Sequence, residues 1–169
     1  MILEAPNRLE SYENIGVTFF LAGTIENGKS VDWQKEIAEY SKEIGVSVFN
    51  PRRSNWNASA DSKEIEKQID WELEHMEKAD YIIMNILGDS KSPISLLELG
   101  LHARSGKLIV FCPKSFYRYD NVRVTCETYG VRLYSVEDYK NNIDEIKLLM
   151  LEKKNGYDKR RGNKEDFKR

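Results

Sequence analysis

Two glutamates carry the chemistry that this sequence can offer. Glu98 lies inside Ser92-Pro93-Ile94-Ser95-Leu96-Leu97-Glu98-Leu99-Gly100, an apolar run where a carboxylate is costly to bury as an ion and must either pair or react. Glu72 stands beside Trp71 in the middle of a helical pattern that leads into Asp80. Two carboxylates at one crevice can divide labour, one attacking a carbon while the other handles the proton of a leaving group, and retaining glycosyl transfer needs such a pair. Periodicity alone also accommodates Glu72 as a solvated helix-face glutamate, and composition does not choose between the two readings.

Other chemistries find less support. The glycines of Gly23 to Gly28 match neither the phosphate-cradling loop nor the dinucleotide fingerprint. No Ser or Cys elbow has a histidine partner. His75 and His102 are the only histidines, and neither belongs to a metal-binding spacing. His102 follows Glu98 by one helical turn, within reach of it, although a packing histidine is the commoner case. No metal and no cofactor is expected.

The glutamates need elements to position them. Val17 to Ala22 reads as a first strand, after a polar N-terminal arm containing Pro6. Gly23 to Gly28 forms a turn, and Ser30 or Asp32 caps a helix that runs to about Ile44 and stops at Gly45. Val46 to Phe49 is a second strand. The polar segment Asn50 to Asp61, with Arg52, Arg53, Asn55 and Trp56, suits either a binding loop or an exposed connection. Ser62 to Lys78 is a helix with Ile65, Ile69, Leu73 and Met76 on one face. A strand from Asp80 to Leu87, a helix opened by Pro93 and closed at Gly106, and a strand from Lys107 to Cys112 follow. A short helix over 119–129, a strand over 131–134 and a helix from Ser135 to about Glu152 complete a doubly wound α/β sheet of five parallel strands with helices on both faces. In such sheets ligands sit in the crevice at the carboxyl ends of the strands, where the helix carrying Glu98 starts.

The 169 residues suit one domain, spanning 1–152, with a polar basic tail at 153–169 read as solvated. A net charge of −2 argues against a nucleic-acid-binding surface. Cys112 and Cys126 form neither a metal spacing nor a disulfide framework, and no apolar run reaches membrane-spanning length. With no signal-peptide pattern, the expectation is a cytoplasmic domain without membrane or nucleic-acid partners.

Phe20-Leu21-Ala22-Gly23-Thr24-Ile25, then Trp71-Glu72 with Ala79-Asp80, then Ser92 to Gly100, together resemble the nucleoside 2-deoxyribosyltransferase family, whose superfamily also contains deoxynucleoside 5′-monophosphate N-glycosidases. The resemblance runs from about Val17 to Tyr134. It implies a flavodoxin-like sheet, Glu98 as a nucleophile that carries the sugar covalently, and Glu72 where the family usually has an aspartate. It also implies that Asp80 is structural, and that Gly23, Thr24, Asn50, Trp56 and Ser92 contact substrate. Ser92 holds the place of a sugar-binding aspartate in the transferases and of a phosphate-binding serine in the glycosidases. Glu26 falls where the glycosidases have an arginine. Asp120-Asn121-Val122 resembles a segment whose asparagine completes a neighbouring subunit's site, so the resemblance implies a homo-oligomer acting on a nucleoside or nucleotide and a free nucleobase. A catalytically idle nucleotide-binding module is the reading of another class, and retention of both carboxylates speaks against it.

Overall fold

The computed structural model describes residues 1–54 and 61–166. Six parallel strands form one sheet: β1 (Ile2–Glu4), β2 (Thr18–Gly23), β3 (Ser47–Asn50), β4 (Tyr81–Asn85), β5 (Leu108–Phe111) and β6 (Arg132–Tyr134), in spatial order β1-β3-β2-β4-β5-β6. The helices are α1 (Trp33–Ile44), α2 (Ser62–Lys78), α3 (Pro93–His102), α4 (Tyr119–Tyr129) and α5 (Tyr139–Asp166). Without β1 the order is that of a flavodoxin-like fold, whose connections reverse direction between β2 and β4 and leave a crevice beyond the ends of those two strands.

The four inner strands, β2 to β5, are buried on both sides, which explains why they read as apolar runs. On one face Phe20, Phe49, Ile82, Met84 and Val110 pack under α2, α3 and α4, through Trp71, Met76, Leu99, Val122 and Cys126. On the other face Phe19, Leu21, Val48, Ile83 and Phe111 pack under α1 and α5, through Trp33, Ile37, Ile143, Ile146 and Met150. No helix among the described residues is long and apolar enough to cross a membrane. Gly23, the last residue of β2, has φ +126°, and a Cβ there would lie 2.1 Å from the Asn85 carbonyl oxygen. Only glycine lets β2 and β4 stay this close beneath the crevice.

Three features depart from the sequence reading. The sheet has six strands, because the N-terminal arm supplies an edge strand in register with β3, Ile2 opposite Val48 and Glu4 opposite Asn50. Three residues are too few to show a period. The last helix runs past Glu152 to Asp166. A polar composition does not stop a helix: Lys154 pairs with Asp158 one turn on, and Tyr157 packs against the core of that face. The third departure is the face that α2 buries. Trp71, His75 and Met76 are buried, while Ile65, Ile69 and Leu73 are 46, 48 and 44 % exposed. Both stripes have helical spacing, and the aromatic one wins because Trp71 stacks on His75 with ring centroids 4.0 Å apart and donates Nε1–H to the Asn7 carbonyl.

Candidate active site

Pro93 at the first position of α3 lacks an N–H, which suits the unsatisfied first turn of a helix. Ser92 precedes it in the left-handed region at φ +41° and does not cap the helix with its side chain. α3 then turns Ser95, Glu98, Leu99 and His102 inward and leaves Ile94, Leu97 and Leu101 outside, 60, 60 and 58 % exposed. Glu98 is 8 % exposed and makes no hydrogen bond or ion pair among the described residues. Burial, with the nearby charge of Glu72, pushes its carboxyl up to about 8. His102 is also buried, and its neighbouring charges are Glu77 and Lys107 rather than Glu98.

Glu72 reaches the same cleft from α2. Its pKa is raised by burial, against the opposing effects of a hydrogen bond from Gln68 and the positive charge of Arg53. Gln68 Nε2 donates to Glu72 Oε1 at 2.7 Å and to the Pro51 carbonyl at 2.9 Å. Arg53 Nε donates to Gln68 Oε1 at 2.5 Å, and its terminal nitrogen pairs with Glu64 at 2.7 Å.

The cleft between these helices has a volume of about 420 Å³ and contains both glutamates. Gly23, Ile25 and Glu26 lie on one side, Pro51, Arg52 and Arg53 on another, and Ile65, Gln68 and Ile69 of α2 face the cleft with Ser92, Ile94 and Ser95. A carboxylate pair above an apolar floor, with polar groups at one end, suits a ligand that has a flat apolar part and a hydroxylated part. A second cleft, of about 600 Å³ and lined by Tyr12, Asn14, Lys78, Tyr157 and Arg160, has Asp80 as its one acid. Asp80 is already committed: its Oδ2 accepts from both the backbone N–H and the hydroxyl of Thr18 at 2.8 Å. That is the structural role expected of it.

The remaining sequence-selected residues divide. Gly23 and Ser92 line the cleft. Thr24 lies just beneath, its hydroxyl 2.7 Å from that of Ser92 and 3.0 Å from that of Ser90, with Ser90 and Ser92 2.8 Å apart. Asn50 does not line the cleft; its Oδ1 accepts from the Arg52 N–H at 3.0 Å, turning the chain after β3. Asn121 is exposed near the start of α4, outside the cleft. Trp56 falls outside the described residues. Arg52 is a brace, with its terminal nitrogens donating to the carbonyls of Gly28, Ser30 and Val31. Ser90, Ser95 and Gln68 were not singled out by the sequence reading. The one available signal was that Gln68 lies four residues before Glu72.

Glu26 occupies the left-handed region at φ +50°, unusual for a residue with a long side chain, and its Oε1 accepts from the backbone N–H groups of Lys91 and Ser92 at 3.0 and 3.3 Å. It therefore ties the loop after β2 to the loop before α3. Its carboxylate also occupies two donors that would otherwise suit an anion.

No curated protein matches the chain. A sequence model of the family described as nucleoside 2-deoxyribosyltransferase like matches residues 16–116, which include β2 through β5, both cleft glutamates and the loops around them, but not α4. Matched over more than half its length, the chain belongs to the nucleoside 2-deoxyribosyltransferase-like family.

Proposed function

We propose that the protein is a nucleoside 2-deoxyribosyltransferase. The observation that carries the reading is the meeting of Glu98 and Glu72 in one apolar-floored cleft at the carboxyl edge of the sheet. Glu98, ionised, attacks the anomeric carbon of a 2′-deoxynucleoside as the bond to the base breaks, and Glu72 gives its proton to the leaving nitrogen. The 2-deoxy sugar lacks an electron-withdrawing hydroxyl, so positive charge develops readily in an oxocarbenium-like transition state. The incoming base then gives its N–H proton to Glu72, attacks the same carbon and releases Glu98. No cofactor takes part.

The hydroxyl cluster and Glu26 favour an uncharged 5′ end. Ser90 donates to the Leu87 carbonyl at 2.8 Å, and the Leu87 N–H donates to Thr24 Oγ1 at 3.0 Å. The Thr24 and Ser92 protons both find acceptors among the three hydroxyls, so every donor in the cluster has an acceptor. Ser92 keeps a lone pair for a sugar hydroxyl, which donates without disturbing this chain. A phosphate only accepts, so Ser92 would have to turn its proton outward, and the Glu26 carboxylate adds repulsion. Hydrolysis of a deoxynucleoside 5′-monophosphate is the second reading, carried by the resemblance of Ser92 to the phosphate-binding serine of the glycosidases rather than by the hydrogen bonds of the cluster.

The active form in this reading is a homo-oligomer of at least two chains, with Asn121 completing a neighbour's site. Ile65, Ile69 and Leu73 on α2 and Ile94, Leu97 and Leu101 on α3 form exposed apolar stripes, and three of the six also line the cleft. A second copy laid over these stripes would bury them and help to wall off water, which competes with the acceptor base. We place the protein in the cytoplasm, where Cys112 and Cys126 stay free thiols.

The test is incubation with a deoxynucleoside plus a different free base, and separately with deoxynucleoside monophosphates. The reading predicts base exchange in the first. Base release from monophosphates alone would select the glycosidase, and no reaction would select the idle module.

A further inference from the structure

We propose that Gln68 is the positioning residue of the acid, a fixed link from Arg53 that holds one oxygen of Glu72 and reserves the other for the proton. The proposal rests on the acid role given to Glu72 above, but the geometry behind it belongs to α2 and the loop after β3.

Gln68 is buried, one helical turn before Glu72. Its amide cannot be turned round. Arg53 has only donors to offer and the Pro51 carbonyl only accepts, so Oε1 must face Arg53 and Nε2 must face Pro51. Both Nε2 hydrogens are then assigned, one to Pro51 and the other to Glu72 Oε1. Arg53 is itself held by Glu64 and only 8 % exposed, so the far end of the link is anchored.

Two consequences follow for Glu72. A donor aimed at Oε1 excludes a proton from that oxygen, so the proton sits on Oε2, the oxygen without a partner among the described residues. The same donor, with the charge of Arg53 behind it, favours the carboxylate and opposes the effect of burial. An acid that must give its proton to one base and recover it from the next needs this balance. Burial alone would leave it reluctant to ionise.

A purely structural role, pinning the loop at Pro51, would leave the titration of Glu72 untouched, and the experiment turns on that difference. Gln68→Met keeps the side-chain length and removes every hydrogen bond. Titration of Glu72 is followed by carboxyl-carbon NMR in a Glu98→Gln background, where the second cleft carboxylate no longer titrates and no turnover is needed. The proposal predicts a higher Glu72 pKa in Gln68→Met. In the otherwise wild-type enzyme it predicts kcat lower by about a hundredfold, KM changed far less, and the pH profile of the coupled pair displaced toward higher pH. In a Glu72→Gln background Gln68→Met should cost almost nothing further.

An unmoved Glu72 titration, or an equal loss of rate with and without Glu72, would overturn the proposal. If the wild-type protein transfers no deoxyribosyl group, the transferase reading falls and the NMR titration still decides whether Gln68 sets the state of Glu72. Should Gln68→Met not fold, Arg53→Met removes the anchor instead. It should raise the Glu72 pKa in the same measurement, and an unchanged value would equally refute the link.

Discussion

Glu98 and Glu72 come from different helices into one cleft, and the charge of Glu72 helps to hold the Glu98 carboxyl up at about 8. Both acids are raised above their ordinary value near 4.5, chiefly by burial, so the resting site keeps protons that exposed carboxylates would have lost. The proposed reaction needs Glu98 ionised and Glu72 protonated. Positive charge developing on the sugar favours the Glu98 anion at the moment it is required.

The pH dependence should follow from this coupling. The profile of kcat/KM is expected to be bell-shaped, with limbs belonging to the pair rather than to either residue. In Glu72→Gln one charge disappears, so Glu98 should ionise at lower pH and the profile should become a single rise with a midpoint below about 8. The same variant should lose about a hundred- to ten-thousand-fold with ordinary bases, and much less with leaving groups that need no proton. Initial rates across pH for two such substrates check both statements.

Stability should carry the mark of Glu98 as well. Its folded-state pKa lies above its unfolded value, so between about 4.5 and 8 the folded state binds the extra proton and stability falls as pH rises. Glu98→Gln removes this dependence. Its unfolding free energy should match wild type near pH 4 and exceed it above pH 8, by up to about 5 kcal/mol. Denaturant unfolding at four pH values measures the gain, and a constant difference would contradict the origin given to it.

Specificity for the 5′ end should turn on Glu26. Glu26→Gln keeps an acceptor for the Lys91 and Ser92 N–H groups while removing the charge. The ratio of kcat/KM for monophosphate over nucleoside should rise about tenfold, roughly 1.4 kcal/mol. An unchanged ratio would locate the discrimination elsewhere.

Assembly is expected through the apolar stripes. Leu97→Asp together with Ile69→Asp should convert the oligomer to a monomer by light scattering and reduce activity. Mixing Glu98→Ala with Asn121→Ala subunits after dissociation should restore activity, because some assemblies regain one intact site. Failure to complement despite verified exchange would mean that each chain builds its own site.

Much of the fold was legible because each long element announces itself locally. Asp61, whose carboxylate accepts from the Glu64 N–H, starts α2, Gly45 stops α1 in the left-handed region, and both bounds fall where the sequence places them. The edge strand at Ile2 was not legible, since pairing with Val48 is a long-range event that three residues cannot foretell. The buried face of α2 misled because exposed Ile65, Ile69 and Leu73 have the same spacing as core residues. Glu98 was legible from the apolar run around it. Gln68 was not, because its part depends on Arg53, Pro51 and Glu72 meeting in space.

The most direct test of the account is to acid-quench the enzyme during turnover of a deoxynucleoside without acceptor base, digest it and weigh the peptides. A deoxyribosyl adduct on the peptide containing Glu98, absent in Glu98→Gln and discharged when a base is added before the quench, is the predicted result. Active enzyme that forms no adduct, or carries it on another residue, would contradict the role of Glu98.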